Sequence, residues 1–354
     1  MISTKIVKID PRDPKPAYIR EAADLLRRGG LVIIPTETVY GIAANMLDKN
    51  TLDRLYEIKQ RPRNKLFSLH IDAKNKVEDF AVDIPVSAYK LMDKFWPGPL
   101  TLILKSSTAG SIGIRMPDDE IALKVIEGAS VPVVCPSANI SGKPAPINFQ
   151  DAIGDLDGLV DLAIDAGNTK LGSESSIVDL TVEPLKILRE GALKKEDIEQ
   201  ALKKKIVLFI CTGNSCRSVM AKGLLEKKLR ELGRDEVEVL SAGIMMMGGL
   251  GATAETRELL EAEGIDVSGH LSQRVTKEMV NKSDIILVME KLQENRILEF
   301  APQAKNRLFL LKEFAKISGN NNLDVADPIG KSREFYSQTF ATIKEAIERI
   351  SSII

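Results

Sequence analysis

At 354 residues the chain is too long for one ordinary core, and a prior of roughly 100–200 residues per domain predicts two domains, or three at most. Apolar residues at 44%, charged residues at 28% and a net charge of −1 describe a soluble globular chain with no global field for gripping nucleic acid, so any RNA contact must be local. No apolar run approaches the roughly 20 residues of a bilayer span, and the amino terminus leads into charge without a secretory core, so the expectation is a cytoplasmic protein without membrane contact. Cys135, Cys211 and Cys216, with only His70 and His270 beside them, are too few for a disulfide framework or a Cys/His zinc cage.

In chain order, the first half predicts strands at 31–35, 66–71, 101–105, 112–116, 131–136, 162–165, 176–180 and 186–189, with helices at 17–28, 51–59, 86–95 and 121–127. This is a mixed α/β sheet without a simple βα repeat. The turn Pro35-Thr36-Glu37-Thr38-Val39-Tyr40-Gly41 carries two hydroxyls, and Lys59, Arg61, Arg63 and Lys65 form a basic cluster suited to a polyanion. A further polar loop covers 136–142, and Arg115 and Arg189 each end an apolar strand. Any one of these reads as a surface charge or turn residue; their convergence at strand ends predicts a nucleotide pocket.

On Pro35-Thr36-Glu37-Thr38-Val39-Tyr40-Gly41, Lys59-x-Arg61-Pro62, Phe95-Trp96-Pro97-Gly98-Pro99-Leu100-Thr101, Arg115-Met116-Pro117, Pro136-Ser137-Ala138-Asn139 and Arg189-Glu190-Gly191, residues 1–193 resemble the YrdC family of threonylcarbamoyl-AMP synthases. The resemblance implies that L-threonine, bicarbonate and ATP are joined into threonylcarbamoyl-AMP with release of diphosphate. That product feeds threonylcarbamoyladenosine formation in tRNA, which would make the downstream transfer proteins, and tRNA itself, partners. It implies threonine contacts from Thr38, His70, Arg115 and Ser175 and ATP contacts from Lys59, Arg61, Lys65, Ser137, Asn139 and Arg189. ATP would be a substrate carried with Mg2+, with no bound cofactor and no metal held by the protein. Cys135 and Ala145 depart from the family's usual residues; Cys135 reads as a packed strand residue, and His70, within an apolar run, reads equally as a core histidine.

A lysine-rich segment at 195–204 separates this domain, 1–194, from a second one at 205–354. It reads as a linker able to form a short helix. Beyond it the order is strand 206–210, a glycine-bearing loop, helix to 232, strand 237–240, helix 253–263, strands 284–289 and 307–311, and helix 333–350. That alternation predicts a doubly wound, mostly parallel sheet with its ligand at the carboxyl ends of the strands.

Cys211-Thr212-Gly213-Asn214-Ser215-Cys216-Arg217-Ser218 follows the first of these strands, and Asp327-Pro328 comes late. A thiolate able to attack phosphorus in line, successive amides around an anion, an arginine fork for two phosphoryl oxygens and an acid for the leaving group are what phosphate-ester hydrolysis through a phosphoenzyme requires. Cys211, the amides of 212–217, Arg217 and Asp327 supply them. With Ser241-Ala242-Gly243 added, the region resembles the low-molecular-weight protein tyrosine phosphatases. The resemblance implies that Asn214 and Ser218 brace the loop. It also implies that Cys216 can pair reversibly with Cys211, although a small buried helix residue explains Cys216 as well. Ser215, and Ile329-Gly330 where an aromatic pair is usual, favour phosphoarginine over phosphotyrosine in a phosphoprotein substrate. The whole chain thus reads as a bifunctional enzyme; the alternative is a non-catalytic RNA- or nucleotide-binding module attached to an active phosphatase.

Overall fold

The structure, a computed structural model, describes residues 3–106, 108, 110–245, 248–317 and 322–354. It divides into two units, Met1–Ala201 and Leu202–Ile354. In the first, β1 (Lys5–Lys8), β2 (Val32–Ile34), β3 (Gly41–Asn45), β4 (Leu69–His70), β5 (Leu100–Lys105), β6 (Ser111–Arg115), β7 (Val133–Val134), β8 (Leu162–Asp165), β9 (Ser176–Asp179) and β10 (Lys186–Arg189) form one mixed sheet. Its order is β1-β8-β2-β3-β7-β4-β6-β5-β9-β10. The helices are α1 (Pro16–Arg27), α2 (Lys49–Lys59), α3 (Val86–Phe95), α4 (Glu120–Ala129) and α5 (Phe149–Gly154).

Alternation along β2 builds a layer on each face. Val32 and Ile34 pack with Ala22 and Leu26 of α1 and Ile121 and Val125 of α4, while Leu31 and Ile33 pack with Leu55 of α2 and Phe149 of α5. Pro16 at its first turn starts α1, and Ile19, Ala22, Ala23 and Leu26 recur at helical spacing on its buried side. Two strands and a short helix exceed the sequence expectation. In β1 only Val7 is buried, and β3 reads Gly-Ile-Ala-Ala-Asn, with little β-branched signal, yet is wholly buried. The strand expected at 66–71 shortens to β4 because the Arg61 guanidinium draws in the carbonyls of Lys65 and Leu66 at 2.8 and 3.0 Å, folding that stretch into a hook.

Residues read as a linker form α6 (Lys195–Lys203), with Ile198 and Ala201 buried. In the second unit β11 (Lys205–Cys211), β12 (Val237–Gly243), β13 (Ile285–Val288) and β14 (Leu308–Leu310) are all parallel, in the order β12-β11-β13-β14. With them run α7 (Arg217–Glu231), α8 (Ala254–Ala262), α9 (Lys277–Lys282), α10 (Lys291–Phe300), α11 (Leu311–Phe314) and α12 (Arg333–Ile350). Val207 and Phe209 join α7 and α12 in one core, and Leu208 and Ile210 join α9 and α10 in the other. Both units are therefore α/β, the second doubly wound. Strand order reverses at β11, so the carboxyl end of β11, at Cys211, is the switch point where such sheets bind ligands. No helix among the described residues is long and apolar enough to cross a membrane.

Candidate active sites

The first unit holds a cavity of about 140 Å3 walled by strand ends: Thr36, Tyr40 and Gly41 around the β2–β3 turn, His70 from β4, Thr101 from β5, Arg115 from β6, Cys135–Ser137 after β7, Glu174 and Ser175 before β9, and Arg189 from β10. Pairing of His70 with Arg115 across β4 and β6 places the imidazole and the guanidinium side by side. Burial and the neighbouring Arg115 charge push the His70 pKa down to about 3, against a weaker pull upward from the Ser68 carbonyl, so His70 is neutral. Arg115 is itself buried; Nη2 donates to Glu37 Oε1 at 2.6 Å and Nε to the Gly98 carbonyl at 3.3 Å. Glu37 Oε2 is buried without a hydrogen-bond partner among the described residues.

At the mouth, Arg189 donates to the Ser175 carbonyl at 2.9 Å and to Glu174 at 2.5 Å, and the Ser175 and Thr101 hydroxyls are 2.9 Å apart. Arg61 stands over the Phe67 ring, 5.2 Å from its centroid. Lys59 is buried and donates to the Ser137 carbonyl at 2.6 Å and Asn139 Oδ1 at 2.8 Å, tying α2 to the loop after β7. Burial, then the Arg61 charge, lowers its pKa to about 8. Gly41 is required: a Cβ there would lie 2.4 Å from Cys135 Sγ. Burial pushes the Cys135 thiol up to about 12, leaving it a packed, protonated wall group.

In the second unit the loop from Cys211 curls round its own sulfur. The Asn214 amide donates to Cys211 Sγ at 3.2 Å, and Ser218 Oγ lies 3.0 Å from it. Asn214 takes a left-handed φ of 54°, a conformation asparagine tolerates. Its side chain donates to Ser218 and Ser241 at 2.9 and 3.0 Å and accepts from the Gln273 amide at 2.9 Å, while His270 Nε2 donates to its carbonyl at 2.7 Å. Gly243 admits this loop, since a Cβ would sit 2.7 Å from the Thr212 carbonyl oxygen.

Arg217, only 1% exposed, has both terminal nitrogens of its fork engaged. Nη1 donates to the Val325 carbonyl at 2.8 Å and pairs with Glu290 at 2.9 Å; Nη2 reaches Asp327 at 2.5 Å and Thr212 Oγ1 at 3.3 Å. The three cysteines are free thiols, and Cys216 Sγ lies 3.4 Å from Thr253 Oγ1 and 3.5 Å from Tyr336 Oη. A thiol that accepts from a backbone amide, with an arginine fork and a carboxyl in the same domain, can form and break a phosphoryl bond.

Residues 24–191 match the family model Sua5/YciO/YrdC, described as telomere recombination, and residues 206–353 match low molecular weight phosphotyrosine protein phosphatase. A Methanocaldococcus jannaschii protein provisionally named threonylcarbamoyl-AMP synthase is 37% identical over 47% of this chain and 81% of its own length. The chain belongs to the Sua5/YciO/YrdC family. Threonylcarbamoyl-AMP synthase of Pyrococcus abyssi is 42% identical over 58% of this chain, which spans 63% of that relative's length. The crystal structure of P. abyssi Sua5 complexed with L-threonine superposes with a TM-score of 0.55 at 29% identity, covering 87% of this chain and 99% of that one. A low-molecular-weight phosphatase domain follows the Sua5/YciO/YrdC domain.

Within the Sua5/YciO/YrdC domain, His70, Arg115, Ser175, Arg61, Ser137 and Arg189 all line the cavity. Thr38 lies one layer back, its hydroxyl 2.8 Å from that of Thr36, which is on the wall. Lys59 and Asn139 stand behind Ser137, and Lys65 is exposed outside the cavity, with its carbonyl on Arg61. Sequence reasoning assigned no ligand contact to Thr36, Glu37, Thr101 or Glu174. Thr36, Glu37 and Thr101 belong to motifs already singled out, but only the sheet order reveals that Glu37 meets Arg115 and Thr101 meets Ser175. In the phosphatase domain Glu290, Gln293 and His270 were missed because no local motif connects them to Cys211.

Proposed function

We propose that the first domain joins L-threonine, bicarbonate and MgATP into threonylcarbamoyl-AMP and diphosphate for tRNA modification. The observation that carries this reading is a small cavity with a fixed, buried Arg115 beside a neutral His70, walled also by Arg61 and Arg189. A volume of about 140 Å3 suits an amino acid, whereas drug-sized ligands take roughly 300–1,000 Å3, so the nucleotide lies across the mouth. Arg115 receives the threonine carboxylate, and the Ser175–Thr101 hydroxyl pair faces its side chain. Arg61 and Arg189 take the phosphates and absorb the charge that grows as the carbamate attacks the α-phosphorus. Lys59 acts by holding Ser137 and Asn139 in place. Magnesium enters this reading as part of the nucleotide substrate. Diphosphate release from ATP that requires both threonine and bicarbonate tests it; folded protein showing none would leave the nucleotide-binding module as the surviving reading.

The second domain is read as a protein phosphatase. Cys211 attacks phosphorus as the bond to the leaving atom breaks; the phosphoryl oxygens take over the Arg217 donor that Asp327 occupies in the structure, the freed Asp327, having taken up a proton, gives it to the leaving atom, and water then cleaves the S–P bond to release phosphate. Ser215, the exposed Ile329 and two carboxylates, Glu290 and Asp327, gathered at Arg217 favour phosphoarginine, whose guanidinium brings positive charge to that rim. Turnover on phosphoarginine against phosphotyrosine peptides decides between the two, and Cys211→Ser must abolish both.

A further inference from the structure

Gln293 is wholly buried on the first turn of α10, and all of its side-chain hydrogen-bonding capacity is engaged. Oε1 accepts from the backbone amides of Met289 and Glu290 at 2.8 and 3.1 Å. Nε2 donates to Thr212 Oγ1 at 3.2 Å and to Glu290 Oε2 at 2.8 Å. The amide at Glu290 is the ordinary reciprocal cap of a helix start, and it accounts for Oε1 alone. The two Nε2 donations are directed elsewhere. Thr212 Oγ1 and Glu290 Oε2 are also two of the four acceptors that hold the Arg217 fork, through Nη2 at 3.3 Å and Nη1 at 2.9 Å, beside the Val325 carbonyl and Asp327.

We infer that Gln293 is a positioning residue for phosphoryl recognition: its one carboxamide fixes two of the four acceptors that aim the Arg217 guanidinium, one on each terminal nitrogen. The inference rests on the phosphatase reading of the second domain. Arg217 cannot choose its own direction, because a guanidinium has donors only and follows whatever acceptors surround it. Thr212 and Glu290 belong to different loops, after β11 and β13, and Gln293 ties the two together through side chains. A rigid fork loses less freedom on gripping an oxyanion, so alignment shows in the binding of tetrahedral anions as well as in turnover.

The test separates the cap from the donors. Gln293→Glu keeps both Oε1 acceptances, hence the helix start, but replaces the donations to Thr212 and Glu290 by a carboxylate facing Glu290; Gln293→Leu removes all four bonds without adding charge, so a loss shared by both variants belongs to the donations. In the full-length protein, competitive inhibition by inorganic phosphate and hydrolysis of para-nitrophenyl phosphate are measured, with vanadate binding followed by calorimetry. We expect both variants to bind phosphate and vanadate at least about tenfold more weakly, as loss of hydrogen bonds to charged groups predicts. Their sensitivity to leaving-group pKa should match the parent's, because Asp327 is untouched. Oxyanion affinities within twofold of the parent in folded Gln293→Glu would overturn the inference, whatever happens to stability. A parent without Cys211-dependent hydrolysis would overturn the phosphatase reading instead, and vanadate affinity would still report whether Gln293 aligns Arg217.

Discussion

Acidification should destabilise the first unit through His70 in a way that a single substitution removes. The imidazole is neutral and buried, with its pKa held near 3 against 6.5 for the free side chain. The folded state therefore binds fewer protons than the unfolded one between these values, so stability is full above about 6.5 and is lost as pH falls toward 3. Integrated from pH 7 to pH 4, the loss is about 3 kcal/mol, most of it below pH 6. The chain's single tryptophan, Trp96, is buried in this unit and donates Nε1 to the Leu100 carbonyl at 2.7 Å, so its fluorescence in urea follows this unit within the full-length protein. His70→Gln removes the titrating group while leaving the surface carboxylates unchanged. The stability gap between parent and variant should shift by about 3 kcal/mol over that range in the direction of the variant. A gap constant to within about 0.5 kcal/mol, the usual scatter of independent effects, would refute the neutral buried imidazole.

Glu37→Gln, which leaves the buried Arg115 without its counter-charge, should lower the stability of the same unit by about 3 kcal/mol in the same fluorescence assay. Arg115→Lys replaces a fork by a point charge, and the threonine KM in diphosphate release should rise at least about tenfold with little change for ATP. Lys59→Met frees the loop carrying Ser137 and Asn139 and should act the other way round, raising the ATP KM by a similar factor. Asp327→Asn should slow phosphoryl release from poor leaving groups far more than from para-nitrophenol, since only the former need the acid; equal slowing on both would remove Asp327 from that role.

Local chemistry determined a good deal of this protein from sequence alone. An apolar strand running into Cys211 and the eight-residue loop that starts there, then Asp327-Pro328, announces anion chemistry at a strand end because thiolate, amides and arginine must be close in the chain to share one loop. The four strands beyond residue 205, with α7, α8 and α12, were equally legible, because burial on both faces of a parallel sheet leaves continuous apolar runs such as Ile206–Ile210, whereas α9, α10 and α11 were not expected. The β3 strand was not, since glycine and alanines carry no strand preference, and its place is set by antiparallel pairing of Ile34 with Gly41.

What only the tertiary structure decided is which side chains govern the recognised ones. Glu37 meets Arg115 because sheet order brings residues 78 positions apart into a 2.6 Å contact, and Glu290 and Gln293 reach Arg217 or its acceptors from the junction of β13 and α10. No periodicity or spacing encodes such meetings. The sequence names the groups that act on a ligand, because their chemistry is intrinsic to residue type; the groups that aim and neutralise them depend on distance, which exists only once the sheets have formed.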